Sequence, residues 1–183
     1  EENEYVGTKW GKYLRAPEIF FKIVQKNKGK FIPLKEVADV RRGYIPWPYD
    51  FFRINKKTIG KLGISKKYLF ETISSPTECG NIIIDDKVKL PFRLLIIDTP
   101  LAKIKDKILI QYIKNFINKV ERAKNNTERW FILERREPYP IIWSRTPYDR
   151  HIVFYNKKEI SVIDHIEINP IIGRKYVLCA ILN

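Results

Sequence analysis

The sequence predicts an α+β fold, with mixed or antiparallel sheets flanked by helices, on three observations. Short Ile-rich runs bounded by turn residues, such as NIIID and FRLLIID, have the length and composition of strands. The strands come in succession and are capped by helices, which describes α+β better than a doubly wound sheet with a helix after every strand. A hydrophobic content of 44% with 13% aromatics, on 183 residues, suffices for the core of a single domain of ordinary size.

The elements are taken in chain order. Pro17 suits the first helical position of EIFFKIVQKN, where its missing N–H costs nothing and its φ is already set, and Gly29 ends that helix. EVADVRRG reads as a strand closed by Gly43 and by the turn signals Pro46 and Pro48, and FFRIN as a second strand. Residues 56–75 are mixed, with small helical turns and a short strand at Tyr68 to Ile73. NIIID and FRLLIID come next. The longest helix spans Lys105 to Lys124, because Leu109, Ile113, Phe116, Ile117, Val120 and Ala123 recur at three- and four-residue spacing and form a core-facing stripe. Further strands are expected at Trp130 to Glu134, Ile141 to Arg145, His151 to Tyr155 and His165 to Ile168, and a last helix from about Arg174.

Charge narrows the class of partner. The chain carries 35 Lys plus Arg against 21 Asp plus Glu, a formal charge of +14, and such a field favours polyanions. The excess is uneven. Residues 37–70 hold eight basic and two acidic side chains, whereas residues 71–102 hold three and five, so the pattern fits a directed patch better than uniform solubilising charge. A Lys-rich thermophile surface is the plainer alternative. The stretch RWFILERREPYPIIWSRTPYDRHIVFYN, Arg129 to Asn156, threads arginines through aromatic strand-forming sequence and contains no catalytic cluster. Arginine suits phosphates and guanine edges through its planar fork, and Trp and Tyr offer faces for packing or base stacking. Binding of nucleic acid is therefore favoured over bond-breaking chemistry.

Two segments are the candidate contacts. In the loop after the first strand, Arg41, Arg42, Tyr44 and Trp47 are candidates; Gly43 permits a turn, and Pro46 and Pro48 stiffen the rest of the loop. Neighbours on a strand point to opposite faces, so at most one of Arg41 and Arg42 faces DNA while the other meets a carboxylate or solvent. A stiff turn with Trp47 filling core is the plainer alternative. The second segment offers Arg135, Arg136, Trp143, Arg145, Tyr148 and Arg150, any arginine of which could grip guanine O6 and N7 or hold a phosphate. Lys56 and Lys57 open a basic run with Lys61, Lys66 and Lys67 that could track phosphates, although a solvated surface explains any single lysine as well. Trp130 opens an apolar run and is expected in the core.

Other chemistries find little support. Cys79 and Cys179 lie far from each other and from His151 and His165, so neither zinc spacing nor a disulfide framework is present, and no metal site is expected. No run of about 18 apolar residues suggests a membrane span, and EENEY is unlike a signal peptide, so a soluble, cytoplasmic protein is expected. The absence of Met points to a piece of a longer polypeptide. Asp85-Asp86 and Asp98 are separated by basic and apolar residues and do not reproduce a nuclease signature, and the acidic pair fits a turn better. Three functions stay open: DNA recognition, a metal-dependent nuclease fragment, and a scaffold that docks a protein through its aromatic edge.

The order WGKYLRAPEIFFKI, PLKEVADVRRGYIPWPYDFF, SSP, ERWFILERREPYPIIWSR, VFYN and AILN spans essentially the whole chain. In that order the chain resembles the target-recognition domain that follows the catalytic domain in adenine-N6 DNA methyltransferases of restriction-modification systems, the Taq-type and fused type IIG enzymes. The resemblance implies that residues 1–183 are one DNA target-recognition domain similar to those of type I specificity subunits. It implies double-stranded DNA and a catalytic methyltransferase domain as partners. S-adenosylmethionine would bind to that separate domain and no cofactor to this one. The chain lacks the family's Gly-rich cofactor loop and its Asn-Pro-Pro-Tyr type tetrapeptide. Ile45-Pro46-Trp47-Pro48-Tyr49 is only an echo, since Ile45 offers no group to hold a target amine. The fragment is therefore expected to have no catalytic residues of its own.

Overall fold

The computed structural model describes residues 17–117, 129–145 and 151–182. The chain divides between Val37 and Ala38 into two compact units. In the first unit, helix α1 (Glu18–Lys26) begins just after Pro17, whose extended ψ of 152° makes it the cap rather than the first helical residue. An ion pair of 2.7 Å joins Glu18 to Lys22 one turn on. The helix is capped at Asn27, whose side chain donates to the Ile23 carbonyl at 2.9 Å, and Gly29, expected to end it, lies two residues beyond at a φ of 87°, a left-handed conformation that glycine adopts without a steric cost. A second helix, α2 (Leu34–Val37), ends the unit.

The second unit runs, in chain order, through β1 (Ala38–Arg42), α3 (Tyr49–Phe52), β2 (Arg53–Asn55), α4 (Lys56–Leu62), β3 (Leu69–Ile73), β4 (Phe92–Leu95), α5 (Lys107–Ile117), β5 (Ile141–Trp143), β6 (Val153–Tyr155), β7 (Ser161–Val162), β8 (Ile166–Pro170) and α6 (Lys175–Leu182). One sheet has the order β1-β8-β5-β6 and is antiparallel throughout. The other has the order β2-β4-β3-β7, antiparallel except for the parallel pair β3–β7. This is the α+β class with antiparallel and mixed sheets that the sequence predicts.

Several elements differ from expectation. Glu36 and Val37 belong to a helix, and Phe51 and Phe52 to another, so two predicted strands begin later than periodicity suggests. Phe51 and Phe52 are buried among aromatic partners, and a single helical turn delivers two adjacent rings to the core where a strand would send one outward. NIIID contributes only an isolated bridge, Ile83 to Tyr155, and Trp130 to Glu134 is a turn and extended segment whose Leu133 N–H reaches the Ile97 carbonyl at 2.8 Å. The short β7 was not anticipated. The expected long helix is seen from Lys107 to Ile117; Val120 and Ala123 lie outside the described residues.

Packing explains why these elements hold. Helix α5 opens on Asp106, whose carboxylate accepts from the N–H groups of Ile108 and Leu109 at 3.0 and 3.1 Å and so satisfies two donors the helix itself cannot. Its stripe of Leu109, Tyr112 and Ile113 is buried against Phe51, Ile54, Leu94 and Phe131, which form one core with the second sheet. A second core joins the sheets, since Ile73 and Val162 of one meet Ile142 and Phe154 of the other. Burying side chains of this size stabilises the fold by roughly 1.5–3 kcal/mol each relative to exposure.

Candidate nucleic-acid interface

The end of β1 is where the two candidate segments meet. Gly43 donates its N–H to the His165 carbonyl at 2.8 Å, and Tyr44 donates to the Val162 carbonyl at 2.8 Å. The approach is close enough that a Cβ on Gly43 would lie 2.7 Å from the Val162 carbonyl oxygen, so backbone proximity, more than turn-making, is what requires glycine here. Tyr44 is only 3% exposed: its hydroxyl donates to the Glu134 carbonyl at 3.1 Å and accepts from the Arg136 N–H at 2.8 Å. Expected as a surface contact, Tyr44 is a core residue that ties residues 134–136 to β1. The Arg136 guanidinium lies 4.1 Å above its ring and donates to the Arg42 carbonyl at 3.3 Å.

Arg41 and Arg42 both meet carboxylates, where the strand alternation led us to expect one. Arg41 donates to both carboxylate oxygens of Glu167, at 3.1 and 3.2 Å, and also to the Glu137 carbonyl, while its guanidinium stacks 3.7 Å from the Tyr139 ring. Glu167 is 2% exposed, so this pair is a support of the sheet. Arg42 donates from Nε and Nη2 to one oxygen of Asp164, at 3.2 and 2.5 Å, and Arg145 donates from Nη2 to the other at 2.7 Å. The side chains of Arg42, Arg145 and Asp164 are 44%, 47% and 38% exposed. Burial alone would raise the Asp164 pKa, but its two guanidinium partners hold it below its ordinary value.

The sheet sets the orientation of this cluster. Arg42 faces Ile166 in the register of β1 with β8, and Ile166 faces Trp143 in that of β5, so the three side chains share one face while Arg41 and Glu167 share the other. Trp143 is half-buried and donates from Nε1 to Nδ1 of the exposed His151 at 3.5 Å. Trp47 is 63% exposed on the loop that leaves Tyr44, rather than filling core. Trp130 packs against the core, 4.6 Å from the Phe51 ring.

Other candidates stand apart. Arg135 is exposed, lies 4.8 Å from the Phe70 ring and lines an open groove with Glu71, Lys158 and Ser161. Lys56 and Lys57 are exposed at the start of α4, capped by the Asn55 side chain, and among the described residues no hydrogen bond or ion pair joins them to the Asp164 cluster. Tyr148 and Arg150 lie outside the described residues. Two arginines not singled out from sequence, Arg53 and Arg93, are half-buried and paired with Glu78 and Glu71 at 2.9 and 2.8 Å.

The residue that sequence reasoning missed is Asp164. Its signal was available: it interrupts the apolar run ISVIDHIEI, where a carboxylate needs a cationic or hydrogen-bonding partner. Asp85 accepts from the Lys87 N–H at 3.0 Å in a turn, and Asp98 accepts from the Thr99 hydroxyl at 2.9 Å. No three of His, Cys, Asp and Glu converge as a metal site among the described residues. Burial pushes the Cys79 thiol up to about 11, with Glu78 adding to the effect. Among the described residues no helix is long and apolar enough to cross a membrane.

Among solved structures, the fold is similar to part of the type IIG restriction endonuclease BpuSI. That match has a TM-score of 0.52 at 18% sequence identity and covers 90% of this chain and 22% of that one. The likeness is one of fold, and the chain spans less than a quarter of that protein's length. No family model and no curated protein matches the sequence.

Proposed function

We propose that the second unit recognises a specific sequence in double-stranded DNA for an adenine-N6 DNA methyltransferase of a restriction-modification system, and does not itself transfer the methyl group. The observation that carries this reading is the convergence of Arg42, from one candidate segment, with Arg136 and Arg145, from the other, around the end of β1. An excess of 14 positive charges supplies attraction to phosphates, and the fold is similar to part of a type IIG restriction endonuclease. In this reading the exposed lysines hold the duplex through phosphates, the arginines of the cluster meet base edges, and Trp47 packs against sugar or base. S-adenosylmethionine and the catalytic groups belong to a separate methyltransferase domain. The nuclease reading gains nothing from Asp85, which serves a local turn, or from Asp98, which accepts from the neighbouring Thr99 hydroxyl.

The test is selection of retained DNA from a randomised duplex pool at two salt concentrations. Enrichment of a short motif is the expected result. Salt-sensitive retention without enrichment would remove sequence recognition from this chain, and no retention even at low salt would remove DNA from its partners.

A further inference from the structure

Asp164 is held by its own backbone as well as by its partners. Its φ of 58° puts it in the left-handed region, and its N–H donates to the Tyr44 carbonyl at 2.9 Å. The residues on either side are fixed to the same loop, because Ile163 bridges to Tyr44 and the His165 carbonyl accepts from Gly43. The carboxylate is thus anchored to the backbone immediately after Arg42, and each of its oxygens holds one guanidinium.

We propose that Asp164 is a specificity-determining residue, which positions Arg42 and Arg145 to read guanine edges rather than to grip phosphates. The inference rests on the reading of the chain as a DNA-recognition unit. Its basis is electrostatic and geometric. A guanidinium already facing a carboxylate has much of its charge compensated and gains less from a phosphate, while the N–H groups it does not use on Asp164 are held in a fixed plane. A fixed planar fork is what bidentate donation to guanine O6 and N7 requires. Without the carboxylate, two exposed cations would repel one another and turn to the nearest phosphates.

Asp164→Asn is the suitable variant, since asparagine tolerates the left-handed conformation and keeps the shape while removing the charge. Its binding to the enriched duplex and to a scrambled duplex is compared with that of the unsubstituted chain. The expected result is a loss of about tenfold or more in the ratio of the two affinities, with the scrambled duplex bound at least as tightly and a steeper dependence on salt. A merely structural role would weaken both complexes together and leave the ratio unchanged. A ratio within about twofold of the original overturns the proposal, as does an enriched motif lacking any G·C pair. Arg145→Lys, at an exposed position, keeps charge but loses the fork. It should lower the ratio similarly without weakening the scrambled complex, and an unchanged ratio for this variant counts equally against the proposal should Asp164→Asn fail to fold. If the unsubstituted chain enriches no motif, the DNA-recognition reading falls and this proposal with it; if it does and both variants keep the ratio, only this proposal falls.

Discussion

His165, next to Asp164 in the chain, is buried, with Nδ1 2.8 Å from the Ile163 carbonyl. Burial lowers its pKa below the ordinary 6.5, the contact with that carbonyl and the nearby Asp164 opposing the shift only in part. The unfolded chain therefore takes up the proton first as pH falls. Stability from this residue is intact above 6.5 and declines as pH drops below it toward the lower folded value. Unfolding midpoints in urea from pH 8 to 5 should show this decline, and His165→Gln should flatten it; an equal slope in both proteins would mean that His165 takes up its proton as readily in the folded chain as in the unfolded one. At this scale the sequence was only partly legible. Alternation along β1 correctly separated Arg41 from Arg42 by face, but it could not show that each would find a carboxylate more than a hundred positions away. Tyr44 looked like an aromatic surface residue because its two hydrogen-bond partners are backbone groups, which leave no trace in side-chain identity.

Between elements, the decisive contact is the one that seats the end of β1 against β7. Gly43 fits there because nothing projects from its Cα toward Val162. Gly43→Ala should destabilise the protein by about 1–3 kcal/mol, since the added methyl would meet the Val162 carbonyl oxygen, which is backbone and cannot rotate aside, as well as a Val162 methyl. Chemical denaturation measures this directly, and a change smaller than about 0.5 kcal/mol would show that the two segments part at little cost. The elements most readable from sequence were those with a long periodic signal, such as the stripe of α5, whereas its cap at Asp106 came to light only in the structure. Short elements were the least readable. The two residues of β7 pair with β3 from across the chain, and Phe51 and Phe52 form a helical turn where their β propensity suggested a strand, because tertiary burial outweighs local preference.

For the molecule as a whole, the net charge of +14 means that the proposed DNA binding would depend on ionic strength before it depends on sequence. Binding to a scrambled duplex should fall log-linearly with salt. If the start of α4 touches phosphates, replacing Lys56 and Lys57 together by Gln should reduce that slope by up to about two and leave the preference for the enriched motif unchanged. A slope equal to that of the unsubstituted chain would place α4 away from the duplex. Composition made this electrostatic character plain, whereas the assignment of particular arginines needed the fold. Of the half-buried or exposed arginines, Arg41, Arg53 and Arg93 are bound into carboxylate pairs that brace the sheets, and a count of basic residues cannot separate them from those left facing outward.

The order β1-β8-β5-β6 has a bearing on how the chain comes into being. β1 lies at the rim of its sheet and pairs with β8, the last strand of the unit. A ribosome releases the chain from its N-terminus, so β1 must wait, with its backbone donors and acceptors hydrated, until nearly all of the unit has been translated. The sheet of β2, β3 and β4 draws on earlier residues and has the core of α5 to fold upon meanwhile. The arginine cluster, which needs β1, residues 136 and 145 and Asp164 together, is therefore completed last, so a nascent chain interrupted before β8 would be born with a partial core and without the surface proposed to meet DNA.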